Sequence, residues 1–384
     1  MEYFVMSNNF KNRNMSSEER REYRRRKKMI RRIQVYSEMA LIIIGLIVTA
    51  CLIISHIKGK DDNSLKVAAE EQVVAEAEAQ EEKATGLKVS AKAAEEPKEE
   101  ETKEIEEEEA PKAGNYSAKE SEETVQIGGD VVSESAVLIN NKTKTIVATR
   151  NATEKIVPAS MTKVMTVLVA ANHIPADKLN DKVVMSHEAI DYSYAGGGST
   201  SGFVEDEEVT VKDLFYGTIL PSGGDAAAQL AIYVAGDIDS FVKMMNEECA
   251  SLGINGTTHF TNPVGFHSKE HYSTPYDIAV IMMAALDNEL CKEVITTKVY
   301  NSTATNVNPE GITISNWFLR RIEDKEFGGE IEGAKTGYVD ESGSCAVSSM
   351  ISESGTEYIC CTAHSSSSWR CIYDHVDIYK SYAK

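Results

Sequence analysis

Ser160 and Lys163 stand three residues apart in Pro158-Ala-Ser-Met-Thr-Lys163, at the head of the apolar stretch VMTVLVAANHI. On a helix that spacing puts both side chains on one face, one turn apart. A serine hydroxyl is a weak nucleophile until a neighbour takes its proton. A lysine can take it only where burial or nearby cations keep the amine neutral. The positive end of a helix dipole acts in the same sense and also favours an oxyanion formed on attack. The spacing is therefore that of a nucleophile and its base, although a capping serine beside a solvated lysine would read the same way.

Two further segments narrow the choice. Lys335-Thr336-Gly337 lies on an alternating stretch that reads as a strand. Lys335 and Thr336 can bind a carboxylate there, and Gly337 lets a peptide backbone lie against the strand edge. Between the two segments comes Pro221-Ser222-Gly-Gly-Asp225. Ser-x-x-Lys, Ser-x-Asn and Lys-Thr-Gly form the set of penicillin-binding proteins and serine β-lactamases. The first and third are intact here, while the second has Gly224 in place of Asn.

The stretch from about 133 to 384 resembles the D-alanyl-D-alanine carboxypeptidases, the low-molecular-mass penicillin-binding proteins. PASMTKVMT, VKDLFYGTILPSGGDAAAQLA, FVKMMNEECASLGINGTTHFTNPVGF, HYSTPYDIAVIM and IEGAKTGY follow that family's order and rough spacing. The resemblance implies a β-lactamase/transpeptidase-like α/β (α+β) fold. In it a five-stranded antiparallel sheet is flanked by helices, with an all-helical subdomain and the site at their junction. It implies Ser160 as the acylated nucleophile, Lys163 as general base and Ser222 as a proton relay toward the leaving amine. Lys335 would hold the electrostatics and Thr336 would contact the substrate carboxylate. The backbone N–H groups of Ser160 and Tyr338 would form the oxyanion hole. The substrate implied is the D-Ala-D-Ala end of a peptidoglycan stem pentapeptide, with β-lactams as inhibitors and no metal or organic cofactor. Gly224 departs from the pattern at the residue that bridges the catalytic lysine and the substrate amide, and Ser315 stands where an Arg or Thr often precedes the Asn of a further family stretch, here Asn316. Two other readings stay open: a non-catalytic sensor or scaffold of the same fold, and a weak serine β-lactamase. The class A β-lactamases use an additional Glu for deacylation, and no match to its loop is evident.

The elements that must position these groups follow from local signals. Ser135–Ile139 and Thr145–Thr149 read as a hairpin turning at Asn140-Asn141. Thr210–Asp213 and Thr274–Asp277 both look like capping boxes that start helices, the second with Pro275 where its missing N–H costs nothing. Phe241–Leu252 has helical spacing and stops at Gly253. Lys335–Tyr338, Cys345–Ile351 and Tyr358–Ala363 alternate like strands, and Trp369–Tyr382 closes the chain as a helix. One sheet built from both ends of the domain is expected.

Ahead of the domain the composition changes twice. Residues 1–38 carry eleven Lys/Arg against five Glu, and Met39–Ile57 holds nineteen residues without a charge. At about 1.5 Å per residue a helix of that length matches a hydrocarbon core of about 30 Å. The basic flank then predicts a cytoplasmic N-terminus, a signal-anchor helix over 39–57 and everything beyond it outside the cell. Residues 58–130 are rich in Glu, Ala and Lys, with a charge of −13 over 61–123, and read as an acidic disordered stalk that carries a catalytic domain over 131–384. The overall charge of −20 argues against nucleic-acid binding. Val48-Thr-Ala-Cys51 also resembles a lipobox, which would make Cys51 a lipidation site. His267-Ser-Lys-Glu-His271 has a zinc-protease spacing but reads as a surface loop rather than a helix. The seven cysteines form no Cys-x-x-Cys pair.

Overall fold

The computed structural model describes residues 116–384. The basic segment, the apolar run 39–57 with Cys51, and most of the acidic tract lie outside the described residues. Among the described residues no helix is long and apolar enough to cross a membrane.

The strands are β1 (Lys119–Gln126), β2 (Ser135–Asn140), β3 (Thr145–Arg150), β4 (Lys182–Val184), β5 (Glu208–Thr210), β6 (Val299–Asn301), β7 (Thr313–Ser315), β8 (Gly329–Val339), β9 (Gly343–Ser352) and β10 (Glu357–Ser365). The helices are α1 (Thr162–His173), α2 (His187–Ala195), α3 (Val211–Ile219), α4 (Gly224–Ala235), α5 (Ile238–Ser251), α6 (Pro275–Asp287), α7 (Glu289–Thr296), α8 (Leu319–Ile322) and α9 (Ser368–Tyr382). Six strands make one sheet in the order β1-β3-β2-β10-β9-β8, so the two ends of the domain do meet in it. The strands β4/β5 and β6/β7 form separate small pairs.

The sheet separates two cores. On β2, Val137 and Ile139 face the larger core while Ala136 and Leu138 face the smaller; on β10, Ile359 and Cys361 face the first while Tyr358 and Cys360 face the second. Both faces are covered, so successive side chains along β2 and β10 are buried whichever way they point. Helix α6 packs on one face of β10 and α9 on the other. Helix α1 is enclosed on every side from Thr162 to Ala170, its mostly apolar sequence burying Thr162, Lys163 and Thr166 along with it. The Thr210 cap is a full capping box with Asp213. At Thr274 the hydroxyl accepts from the Asp277 N–H, but the Asp277 carboxylate accepts from Thr258 Oγ1 instead of returning the bond.

Two sequence expectations change. The sheet has six strands rather than five, and the sixth, β1, comes from the segment assigned to the stalk. It pairs parallel with β3. Its sequence KESEETVQ is almost wholly exposed and reads as solvated chain. What holds it is backbone pairing together with its flanks. Tyr116 and Ala118 enter the larger core, Ile127 enters the smaller, and the Tyr276 hydroxyl bonds both the N–H and the carbonyl of Ala118. The charges also suit an edge strand, where they discourage pairing with another chain. The folded domain therefore begins by Tyr116 rather than at residue 131.

His375 on α9 gives the smaller core a pH dependence. It is fully buried, with Nδ1 2.8 Å from Ser348 Oγ and Nε2 3.0 Å from Thr362 Oγ1. Burial pushes its pKa down to about 4, against a weaker opposing pull from Asp374. The folded value lies below the unfolded one. The contribution is therefore complete above about pH 6.5 and lost as pH falls toward 4, amounting to roughly 3 kcal/mol. His375→Gln, whose amide can keep both hydroxyl contacts, should flatten the loss of stability between pH 6.5 and 4 in urea titrations. An unchanged slope would show that other groups govern acid unfolding.

Candidate active site

Ser160 lies in a single 3-10 turn, Ala159–Met161, immediately before α1. Ala159 has a φ of +46°, a left-handed conformation that a residue with a Cβ rarely adopts. Lys163, in the first turn of α1, is fully buried. Its Nζ is 2.8 Å from Ser160 Oγ and donates to the backbone carbonyl of Val264 at 2.8 Å. Burial, and next the nearby Lys335 charge, hold its pKa well below the ordinary lysine range, with Asp225 opposing. Both effects favour the neutral amine, whose lone pair can accept the Ser160 proton.

Ser222 and Lys335 form a second pair, 113 residues apart in sequence, with Lys335 Nζ donating to Ser222 Oγ at 2.8 Å. The same amine also donates to the Thr336 carbonyl at 2.7 Å. Lys335 is buried, and that burial lowers its pKa to about 7. Ser222 is held at φ +65° just ahead of α4. Asp225, in the first turn of α4, accepts from the N–H and hydroxyl of Ser201, which ties the glycine-rich loop 196–200 to this corner.

The edge strand β8 closes the arrangement. Its ladder partner among the described residues is β9, and it carries Lys335 buried, Thr336 half-buried and Tyr338 exposed. A Cβ on Gly337 would lie 3.0 Å from the Ser160 N and 3.0 Å from the Pro158 carbonyl. Strand and nucleophile turn are in direct contact through a residue that must be small. Asn316 braces the strand beside Lys335, donating from Nδ2 to the Ala334 carbonyl at 2.8 Å. Ser315 accepts from the Arg320 guanidinium at 3.1 Å.

All seven residues singled out from the sequence, Ser160, Lys163, Ser222, Lys335, Thr336, Gly337 and Tyr338, therefore fall in one neighbourhood. Sequence reasoning missed Val264, which acts through a carbonyl that every residue has. It also missed Ser193 on α2, buried against Gly224. The reading of 267–271 as a surface loop is corrected at His271, which is fully buried and whose Nε2 lies 2.9 Å from Thr162 Oγ1. Burial there lowers its pKa to about 3. Among the described residues no group of three or more His, Cys, Asp or Glu side chains could hold a metal. The six described cysteines are buried free thiols.

Comparison with known proteins agrees with this geometry. Residues 118–362 match the family model described as D-alanyl-D-alanine carboxypeptidase. The chain is 34% identical over 217 residues to the D-alanyl-D-alanine carboxypeptidase DacF of Bacillus subtilis, covering 56% of this chain and 53% of that protein. It is 31% identical over 217 residues to the D-alanyl-D-alanine carboxypeptidase of Streptomyces strain K15, covering 54% of this chain and 73% of that one. The match thus spans about half of the Bacillus relative and more of the Streptomyces one. The crystal structure of the Streptomyces K15 DD-transpeptidase superposes with a TM-score of 0.59 at 28% identity, over 66% of this chain and 99% of that one. With a family match that spans the whole constellation from Ser160 to Tyr338, this chain belongs to the D-alanyl-D-alanine carboxypeptidase family.

Proposed function

We propose that the chain removes the terminal D-Ala from peptidoglycan stem pentapeptides through an acyl-enzyme at Ser160. The observation that carries this reading is the buried Lys163 amine 2.8 Å from Ser160 Oγ, its pKa held down by burial and by Lys335, beside an edge strand that can pair with an extended peptide. Ser160 Oγ attacks the penultimate D-Ala carbonyl and its proton passes to Lys163. The N–H groups of Ser160 and Tyr338 receive the oxyanion. The C–N bond then breaks, and Ser222, bonded to Lys335, relays the proton held by Lys163 to the departing D-Ala amine, gaining one proton as it gives up the other. Lys335 and Thr336 hold the terminal carboxylate. Water attacks the ester and releases the shortened peptide, restoring the Ser160 hydroxyl. A β-lactam would enter the same acylation but stay attached after ring opening, since its leaving group is tethered.

Residues 39–57 are proposed to anchor the chain in the cell membrane with the catalytic domain outside. The support is the uncharged run and its basic flank.

The deciding experiment measures D-alanine release from a stem pentapeptide by the detergent-solubilised full chain, with Ser160→Ala as blank. The expected result is release by the parent chain and none by the variant. Labelling of Ser160 by fluorescent penicillin without D-alanine release would favour the non-catalytic sensor or scaffold. Rapid penicillin hydrolysis would favour the β-lactamase.

A further inference from the structure

Asn262 is buried in the connection between α5 and α6, and its side chain closes its own loop. Oδ1 accepts from the N–H groups of Val264 (3.1 Å), Gly265 (2.7 Å) and Phe266 (2.9 Å), while Nδ2 donates to the Phe266 carbonyl at 3.0 Å. One carboxamide thereby fixes the turn 262–266. That turn presents two carbonyls to α1: Pro263 O accepts from Thr166 Oγ1 at 2.6 Å and Val264 O from Lys163 Nζ at 2.8 Å. Gly265, at φ +95°, lies so close to Ala159 that a Cβ would be 1.9 Å from its carbonyl oxygen. The turn therefore touches the residue before the nucleophile and also the base after it. A second tie comes from His271. The Thr261 N–H donates to Nδ1 at 3.0 Å, so the ring proton is on Nε2, which donates to Thr162 Oγ1 beside Lys163.

We propose that Asn262 is a positioning residue for acylation: it shapes the turn that offers the Val264 carbonyl to Lys163 and so aims the amine at Ser160. The inference rests on the reading of Lys163 as the base. A neutral amine has two N–H bonds and one lone pair, and donation of one N–H to Val264 O fixes rotation about the Cε–Nζ bond. The lone pair is then left for the Ser160 proton. Once that proton has moved, the lysine is an ammonium and the same carbonyl accepts from a cation, a stronger bond than before. The carbonyl thus favours the proton-transferred state over the starting one. Gly224 offers no side chain to the lysine. Among the described residues the hydrogen-bond partners of Lys163 Nζ are Ser160 Oγ and Val264 O.

The test is the rate of Ser160 acylation by fluorescent penicillin in the full chain, measured against penicillin concentration and pH. Asn262→Ala should lower the limiting acylation rate at least tenfold while the dissociation constant of the initial complex stays within about twofold. Thr166→Val removes the other bond to the turn without touching Lys163 and should change the rate less than threefold. Asn262→Asp keeps the three acceptor bonds but brings a negative charge toward the lysine. It should hold the limiting rate and move the acid limb of the pH profile upward by about one unit. A rate constant and pH profile unchanged in the labelled fraction of Asn262→Ala, whatever its stability, would overturn the proposal. So would equal slowing by Thr166→Val. Should Asn262→Ala fail to fold, an unmoved acid limb in Asn262→Asp overturns it alone. A parent chain that penicillin never acylates would instead remove the underlying reading of Lys163, and this inference with it.

Discussion

Lys163→Met should slow acylation of Ser160 by about 1,000-fold or more and should raise the thermal stability of the domain. Both effects come from one cause. The lysine is fully buried and its pKa is held well below the ordinary range, first by desolvation and next by Lys335. Folding therefore disfavours the charged form that the unfolded chain carries. The folded value is the depressed one, so stability is complete above the unfolded lysine pKa and declines as pH falls through the folded one. Methionine has a similar volume and no charge to desolvate, so the variant should gain most at low pH. The parent enzyme should show a rising limb in D-alanine release as Lys163 loses its proton. A falling limb should follow near pH 7, where Lys335 loses the charge that holds the carboxylate. Lys335→Met should remove the falling limb. A Lys163→Met chain that is acylated within tenfold of the parent, or a falling limb that survives in Lys335→Met, would exclude these assignments.

The residues most legible in the sequence were those whose partners are close along the chain or fixed by a recurrent spacing. Ser160 and Lys163 share one helical turn, and Thr210 and Asp213 share one capping box. Within β8, β9 and β10 the stretches Lys335–Tyr338, Cys345–Ile351 and Tyr358–Ala363 were legible from their strand-like alternation. Their residues Lys335 and Gly337 then needed only the strand to be placed beside Ser160. Three features had no such signal. β1 carries the composition of solvated chain, and its place is set by backbone pairing and by Tyr116, Ala118 and Ile127 at its ends. His271 lies in a polar stretch between Gly265 and the Thr274 cap, and the tertiary approach of α1 buries it. Val264 acts through its carbonyl, which leaves no trace in residue type. Asn262 could have been suspected from Asn-Pro followed by Gly, a turn composition, but that signal says nothing about which helix the turn meets.

Gly224→Asn, the change that restores the Ser-x-Asn pattern, should lower activity rather than improve it. The space beyond the Gly224 Cα is already occupied. A Cβ there would lie 2.6 Å from Ser193 Oγ, 3.2 Å from Ser193 Cβ and 3.0 Å from Val264 Cγ1. Ser193 cannot swing away freely, because it is fully buried and its hydroxyl donates to the Ser199 carbonyl, which also accepts from the Gly224 N–H. Overpacking of this kind costs about 1–3 kcal/mol, or roughly 2–9 °C in melting temperature for a domain of this size. The displaced neighbour matters as much as the energy. Pushing Val264 moves the carbonyl that holds Lys163, so D-alanine release should fall tenfold or more even in molecules that remain folded. Ser193→Gly removes two of the three close contacts. Combined with Gly224→Asn it should restore at least half of the lost stability, giving a coupling of about 1 kcal/mol or more in a double-mutant cycle. Activity should recover less, since the contact with Val264 remains. A single Gly224→Asn chain as stable as the parent and faster in D-alanine release would mean that α2 yields to the larger side chain. Gly224 would then be an open gap in the site rather than a residue fitted to Ser193 and Val264.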